Sequence, residues 1–257
     1  MSTSTIAWRV FLGGMVVFML SPLLILFIFC FSESSLLSLP ITGWTFSWFE
    51  RVFAESKFWA SFENSVIITG SVGAASTLIG TMAAFGLGRL KPAAANVGLL
   101  ALTLPVMVPP LVLGVMALTY FSSLGLTLGL HAVILAHLTF TQPLVIMIVY
   151  ARMATFDHTT VNSARDLGAS QLQAFFTVTL PIIQPTIIGA ALVAMALSFD
   201  DFLVTFFTIG GGNTLPTLLW GMLRKVVDPT INVVAVILMT VTISVSTIAL
   251  WLTRYRG

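Results

Sequence analysis

The sequence predicts an all-α membrane protein with six transmembrane spans and both termini in the cytoplasm. Three observations carry that reading. Only 8% of the 257 residues are charged and 58% are apolar, against roughly 25% charged in an average soluble domain. The chain therefore lacks the polar groups needed to cover a water-facing surface. Six apolar segments each supply the roughly 20 residues that carry a helix across a hydrocarbon core of about 30 Å. Lys and Arg, finally, fall unevenly between the two sets of flanks.

The first segment, Val10–Phe31, is longer than the roughly 7–15 residues of a secretory apolar region, and no small-residue cleavage pattern follows it, so it reads as a retained span. It contains Pro22 and Cys30, the single cysteine, which can form no intrachain disulfide and is assigned to packing. The second, Asn64–Leu87, carries Gly70, Gly73, Gly80 and Gly86, with Gly88 just beyond, residues that let helices approach closely. The third, Val97–Phe121, is interrupted by Pro105, Pro109 and Pro110. The fourth, His131–Tyr150, holds Pro143, and its two histidines, His131 and His137, are too poorly aligned to share a metal. Packing or hydrogen bonding is expected of both. The fifth and sixth are Ile182–Val204 and Ile231–Thr253. In lipid the backbone must satisfy itself, so the six helices should form one bundle and residues 1–257 one domain.

With the N-terminus inside, the cytoplasmic flanks hold Arg9, Arg89, Lys91, Arg152, Arg165, Arg254 and Arg256, and the outer flanks Arg51, Lys57, Arg224 and Lys225. Seven against four favours that orientation. The net charge of +2 comes with no basic stripe, so nucleic acid is not an expected partner.

Three connections are long enough to have structure of their own. In the outward stretch Ser32–Glu63, Ser47-Trp48-Phe49-Glu50 fits a capping box, with Ser47 as cap. Phe49, Val52 and Phe53 would line one face of a short helix at the membrane surface, with Trp48 and Trp59 nearby. The outward stretch Thr205–Thr230 contains Gly210-Gly211-Gly212, suited to a tight turn. No strand precedes it and no Lys-Ser/Thr pair follows, which argues against a phosphate loop.

The cytoplasmic stretch Arg152–Pro181 is the most informative. Asp157 is suited to cap a helix whose Val161, Ala164 and Leu167 form a narrow apolar face, and Gly168 is suited to end it. Ser170-Gln171-Leu172-Gln173 fits a second capping box, and Pro181 and Pro185 mark a bend into the fifth span. A bare connection between two spans needs none of this.

Here the chain resembles the membrane permeases of ABC importers. Their signature runs Glu-Ala-Ala, three residues, Gly, nine residues, Ile, one residue, Leu-Pro. This sequence has Asn162-Ser163-Ala164, Gly168, Val178 and Leu180-Pro181 at that spacing, within the run Ala164–Ser170 that also looks like the family. Asn162 stands where the family has Glu, and Asn cannot offer a charge to a basic partner. The likeness continues in Asn64-Ser65, Leu104-Pro105, Pro109-Pro110, Ser198-Phe199-Asp200-Asp201 and Thr214-Leu215-Pro216; the last two elements look most like the polyamine branch, which transports spermidine and putrescine.

The resemblance implies a six-helix permease bundle in the bacterial inner membrane forming half of a translocation pathway. It implies as partners a paralogous second permease subunit, two ATPase subunits that hold ATP and Mg, and a periplasmic or lipid-anchored binding protein, with no cofactor on this chain. Asp157, Val161, Asn162, Ser163, Ala164, Arg165, Asp166, Leu167 and Gly168 would be the ATPase-coupling segment.

Ionised side chains inside a membrane usually face a cavity or a partner, because burial costs at least about 2.5–3.5 kcal/mol. Asp200 and Asp201 lie at the outer end of span five, where one would face the pathway and hold a protonated amine, helped by the rings of Phe199 and Phe202. As helix neighbours they should point about 100° apart. The competing reading has both acids capping or pairing locally at the interface.

No zinc-protease, nucleophile-elbow or nucleotide-binding motif occurs, so ATP hydrolysis is expected from a separate subunit. Ferric-iron and phosphonate permeases share similar acidic patterns, so a permease for another small solute, such as ferric iron, phosphonate or an amino-acid-like amine, is one alternative. An ion-coupled secondary transporter is the alternative class; it would need acids near the midplane and often inverted repeats.

Overall fold

A computed structural model describes residues 3–35, 40–225 and 228–254. Residues 36–39 and 226–227, in the two outward stretches, and Arg256 of the cytoplasmic charge set lie outside the described residues. The described chain is helical, and the one strand-like pairing among those residues is a bridge between Ser32 and Trp44. Five helices are long and apolar enough to cross a membrane, or six if a bent pair counts as one span.

Residue contacts divide the chain into two units, Met1–Trp59 with Leu218–Thr240, and Ala60–Thr217 with Val241–Gly257. In the first, α1 (Thr3–Phe29) is apolar all round, and the span Ala7–Phe29 leaves its residues exposed or at most half-buried within the chain. Next, α2 (Ser47–Ala54) forms where a short surface helix is expected, but not with the expected cap. Ser47 sits inside its first turn and donates its N–H to Thr45 Oγ1 at 3.1 Å. The buried face is Trp48 with Val52, one turn apart, rather than Phe49, Val52 and Phe53. The indole decides this: a buried N–H needs an acceptor, and Trp48 Nε1 finds the Ser32 carbonyl at 2.7 Å. Phe53 instead stays exposed and stacks on Trp59.

The second unit holds most of α3 (Ser56–Leu87), which starts well before the expected Asn64. The third span is not one helix. It consists of α4 (Pro92–Thr103) with a 3-10 turn (Leu104–Met107), then α5 (Pro110–Ser123), the two halves meeting at 95°. A residue before proline is pushed out of the helical region. Val108 and Pro109 both precede a proline, and both are extended, with ψ 127 and ψ 135.

At the centre stands α6 (Leu130–Ala154), packed on α4, on α9 (Leu180–Asp200) and on α10 (Leu203–Thr208). Between α6 and α9 run α7 (Thr159–Asp166) and α8 (Gln171–Ala174), and α11 (Leu215–Leu223) and α12 (Pro229–Arg254) complete the chain. Small side chains dominate the tightest core: Ala84, Ala190 and Ala194 close on Val145 and Val149. A Cβ on Gly80 would lie 2.8 Å from Val145 Cγ1, so that glycine does allow α3 and α6 to approach. Gly70 and Gly86 have no such neighbour.

Candidate functional site

The sequence-predicted site residues fall, among the described residues, at two places: the cytoplasmic connector and the outer end of α9. In the connector, Asp157 Oδ1 accepts the N–H of Thr159, the first residue of α7, at 2.8 Å, but the cap position falls one residue later than the sequence suggests, on His158, whose side chain makes no cap bond. The Thr159 side chain first, and then this backbone bond, hold the Asp157 carboxyl below its ordinary value. The helix ends in a glycine turn, with Gly168 at φ 92, Gly168 N–H donating to Arg165 O and Ala169 N–H to Ala164 O. This is the pair of bonds that closes a helix on a left-handed residue. The second capping box also forms: Ser170 Oγ accepts from Gln173 N–H, and Gln173 Oε1 accepts from Ser170 N–H.

Where a bend into span five is expected, the helix continues without a break. The α8 helix runs into α9 through a π turn (Phe175–Thr179), in which Leu180 N–H donates to Phe175 O. The wider turn absorbs Pro181, which has no N–H to give and whose ring crowds the preceding turn. The apolar residues of α7 split: Val161 and Ala164 are half-buried, while Leu167 is 90% exposed. Asn162, Ser163, Arg165 and Asp166 are exposed as well, and between α7 and α8 lies an open groove of about 510 Å³ that Asn162, Arg165 and Asp166 help to line.

At the outer end of span five, the helix expected to reach Val204 stops at Asp200. Asp201 is extended (φ −70, ψ 125), and its Oδ2 accepts both Thr205 N–H at 2.8 Å and Thr205 Oγ1–H at 3.1 Å. A carboxylate that satisfies the free N–H groups of the next helix competes with continuation of the previous one. The two acids are therefore not successive residues of one helix, about 100° apart as the sequence suggests, but lie on either side of a helix end. Asp200 is exposed, whereas the Asp201 side chain is only 11% exposed. Phe199 is buried beside Met195 and Thr69 in one cavity; Phe202 is half-buried and packs on Phe206 at 5.5 Å.

His137 completes the second cluster. It is fully buried on α6, with Nδ1 2.9 Å from Ser198 Oγ and Nε2 2.9 Å from Thr205 Oγ1 and 3.3 Å from Asp201 Oδ2. Hydrogen bonding was the expectation for this residue, but nothing in the linear spacing of residues 137, 198, 201 and 205 links them. Asp201 also lines a cavity of about 170 Å³ against Pro105, Val106 and Pro110 of the bent third span. Interrupted backbone at membrane depth is tolerated where it lines a cavity. Above this, Asn64 Nδ2 donates to Asn213 O at 2.8 Å and Ser65 Oγ accepts from Leu215 N–H at 2.9 Å, pinning the glycine-rich loop to α3. No group of His, Cys, Asp and Glu able to hold a metal occurs among the described residues.

The family described as "Binding-protein-dependent transport system inner membrane component" matches residues 76–255. The chain is 31% identical over 230 residues to the putrescine transport system permease protein PotI of Escherichia coli strain K12, covering 86% of this chain and 82% of that one. It is 27% identical over 238 residues to the spermidine/putrescine transport system permease protein PotC of the same strain, covering 91% and 88%. Among solved structures, a chain of a bacterial ABC transporter that imports the acidic polysaccharide alginate matches with a TM-score of 0.74 at 14% identity, covering 97% of this chain and 95% of that one. A chain of the methionine ABC transporter MetNI, in an inward-facing conformation, matches with a TM-score of 0.58 at 17% identity, covering 79% and 99%.

Proposed function

From the premise that this chain belongs to the family of binding-protein-dependent transport system inner membrane components, and is thus a permease component of an ABC importer, we propose that it forms half of a pathway for polyamines. The observation that carries the substrate is similarity over most of the chain to permeases named for putrescine and spermidine. The acidic break between α9 and α10 supports it, because an alkyl diammonium leaving water needs compensating charge along its path. Asp200 is exposed at that break, and Asp201 lines the cavity against Pro105, Val106 and Pro110.

The second permease is a paralogue, and a binding protein delivers substrate at the outer face. The chain lies in the bacterial inner membrane with both termini inside. ATP and Mg belong to two ATPase subunits, since this sequence carries no nucleotide-binding motif of its own. They dock on the segment from Asp157 to Gly168, where the exposed Leu167 supplies an apolar contact and Asn162 a neutral one.

Reconstitution of the complex with its genetically neighbouring subunits tests this directly. Labelled putrescine or spermidine should enter proteoliposomes only with internal ATP and external binding protein. Uptake driven by an ion gradient without ATP would overturn the importer mechanism, and uptake of ferric iron or phosphonate but not polyamine would overturn the substrate.

A further inference from the structure

The acidic break is held from across the bundle by a side chain for which the transport reading has no task. We propose that His137 is a positioning residue for Asp201: its imidazole ties the Oδ2 edge of that carboxylate, and both sides of the α9–α10 break, to α6, leaving Oδ1 turned to the cavity at the third-span elbow. This rests on the reading of Asp201 as a pathway acid.

A neutral imidazole has one donor and one acceptor nitrogen. Here both are engaged, and by different sides of the break. Ser198, in the last turn of α9, meets Nδ1, and Thr205, in α10, meets Nε2. One arrangement satisfies every group: Ser198 Oγ–H donates to Nδ1, Nε2–H donates to Thr205 Oγ1, and Thr205 Oγ1–H donates to Asp201 Oδ2. An aliphatic side chain would fill the same volume but would leave the buried Ser198 hydroxyl without its acceptor and the Thr205 oxygen without its donor.

The consequence for Asp201 is directional. The Thr205 backbone and hydroxyl donate to Oδ2, and His137 Nε2 lies 3.3 Å from the same oxygen. No hydrogen bond among the described residues reaches Oδ1, and the residue lines the cavity with Pro105, Val106, Phe140 and Leu144. Donors gathered on one oxygen resist rotation of the carboxylate, so the other oxygen keeps its aim. Thr141, one turn along α6, donates to His137 O and meets Ser76 of α3 at 2.7 Å, which steadies α6 at this level.

The test is a double-mutant cycle in the reconstituted complex, read as initial putrescine uptake and as ATP hydrolysis stimulated by the binding protein, both normalised to assembled complex. The variants are His137→Leu, His137→Gln, Asp201→Asn and the pair His137→Leu/Asp201→Asn. His137→Leu should lower the maximal rate about tenfold or more, with the half-saturating concentration of binding protein unchanged. His137→Gln, which keeps a donor toward Thr205 Oγ1 and so the chain that ends on Oδ2, should recover most of that loss, and the pair should be no slower than Asp201→Asn alone. Wild-type rates in His137→Leu, equal losses in the Leu and Gln variants, or additive losses in the pair would each overturn the proposal. Should His137→Leu not assemble, Ser198→Ala, which frees the ring without removing it, replaces it in the cycle, and additivity there counts equally against the idea. A wild-type complex that ignores putrescine would sink the substrate reading instead, and the cycle would then be judged on ATP hydrolysis.

Discussion

Asp200 and Asp201 are adjacent in sequence, yet one carboxylate is exposed at a helix C-terminus and the other is held by the helix that follows. Their substitution by Asn should separate accordingly. Asp200→Asn should cut polyamine uptake several-fold at unchanged complex yield, since it removes charge and no internal bond. Asp201→Asn should cut uptake and lower yield as well, because hydrogen bonds to a charged group contribute about 1.5–3 kcal/mol. Uptake normalised to assembled complex checks both, and wild-type transport by the two variants would show the acids to be interfacial caps. Ser65 makes a second case. Its hydroxyl is the acceptor for the buried Leu215 N–H, so Ser65→Ala should cost about 1–3 kcal/mol by orphaning a donor. Thermal unfolding of the purified complex should show a lowered Tm, and an unchanged Tm would mean that the N–H has found another acceptor. The acids were visible in the sequence; the helix end between them was not, because an Asp continuing a helix and an Asp capping the next one look alike until Thr205 is in place.

Among the elements, the cytoplasmic connector was the most legible. Its caps and turn are local devices: Asp157 to Thr159, Gly168 at positive φ, Ser170 to Gln173. The orientation of its apolar face was less so, since Val161 and Ala164 turn partly toward their own chain and leave Leu167 outermost. Leu167→Asp should therefore reduce co-purification of the ATPase subunit about tenfold while leaving the permease folded, because the new charge meets a contact surface without a counter-charge. Retention of the ATPase at wild-type stoichiometry would remove Leu167 from the docking surface. In Gly168→Ala a Cβ enters a backbone at φ 92, at a cost of about 1 kcal/mol or more. Its sign would be faster proteolysis between α7 and α8. The third span marks the opposite limit: three prolines announced an interruption, but a bend of 95° depends on what the two halves pack against.

At the scale of the whole molecule, hydropathy and the distribution of Lys and Arg make a testable statement about orientation. With Cys30 replaced by Ala, single cysteines at Ser35 and Gly211, both exposed, should react with an impermeant thiol reagent added outside intact cells. Gly211 has no neighbour within 4 Å of an added Cβ, so its substitution should leave the loop undisturbed. Labelling of both only after lysis would reverse the topology.

What the sequence by itself determined was the solvent, the number of crossings and the local punctuation of the chain. Each of these depends on composition or on residues within a turn of one another, and 58% apolar content, six long runs and the connector caps are all readable in that way. Only the tertiary structure decided where α9 ends, which face of α2 is buried and what His137 is for. Those outcomes depend on partners distant in sequence: Ser32 for Trp48, and Ser198, Asp201 and Thr205 for His137. In an apolar bundle a buried polar group must find its partner wherever the packing brings one, and no periodicity along the chain records that choice.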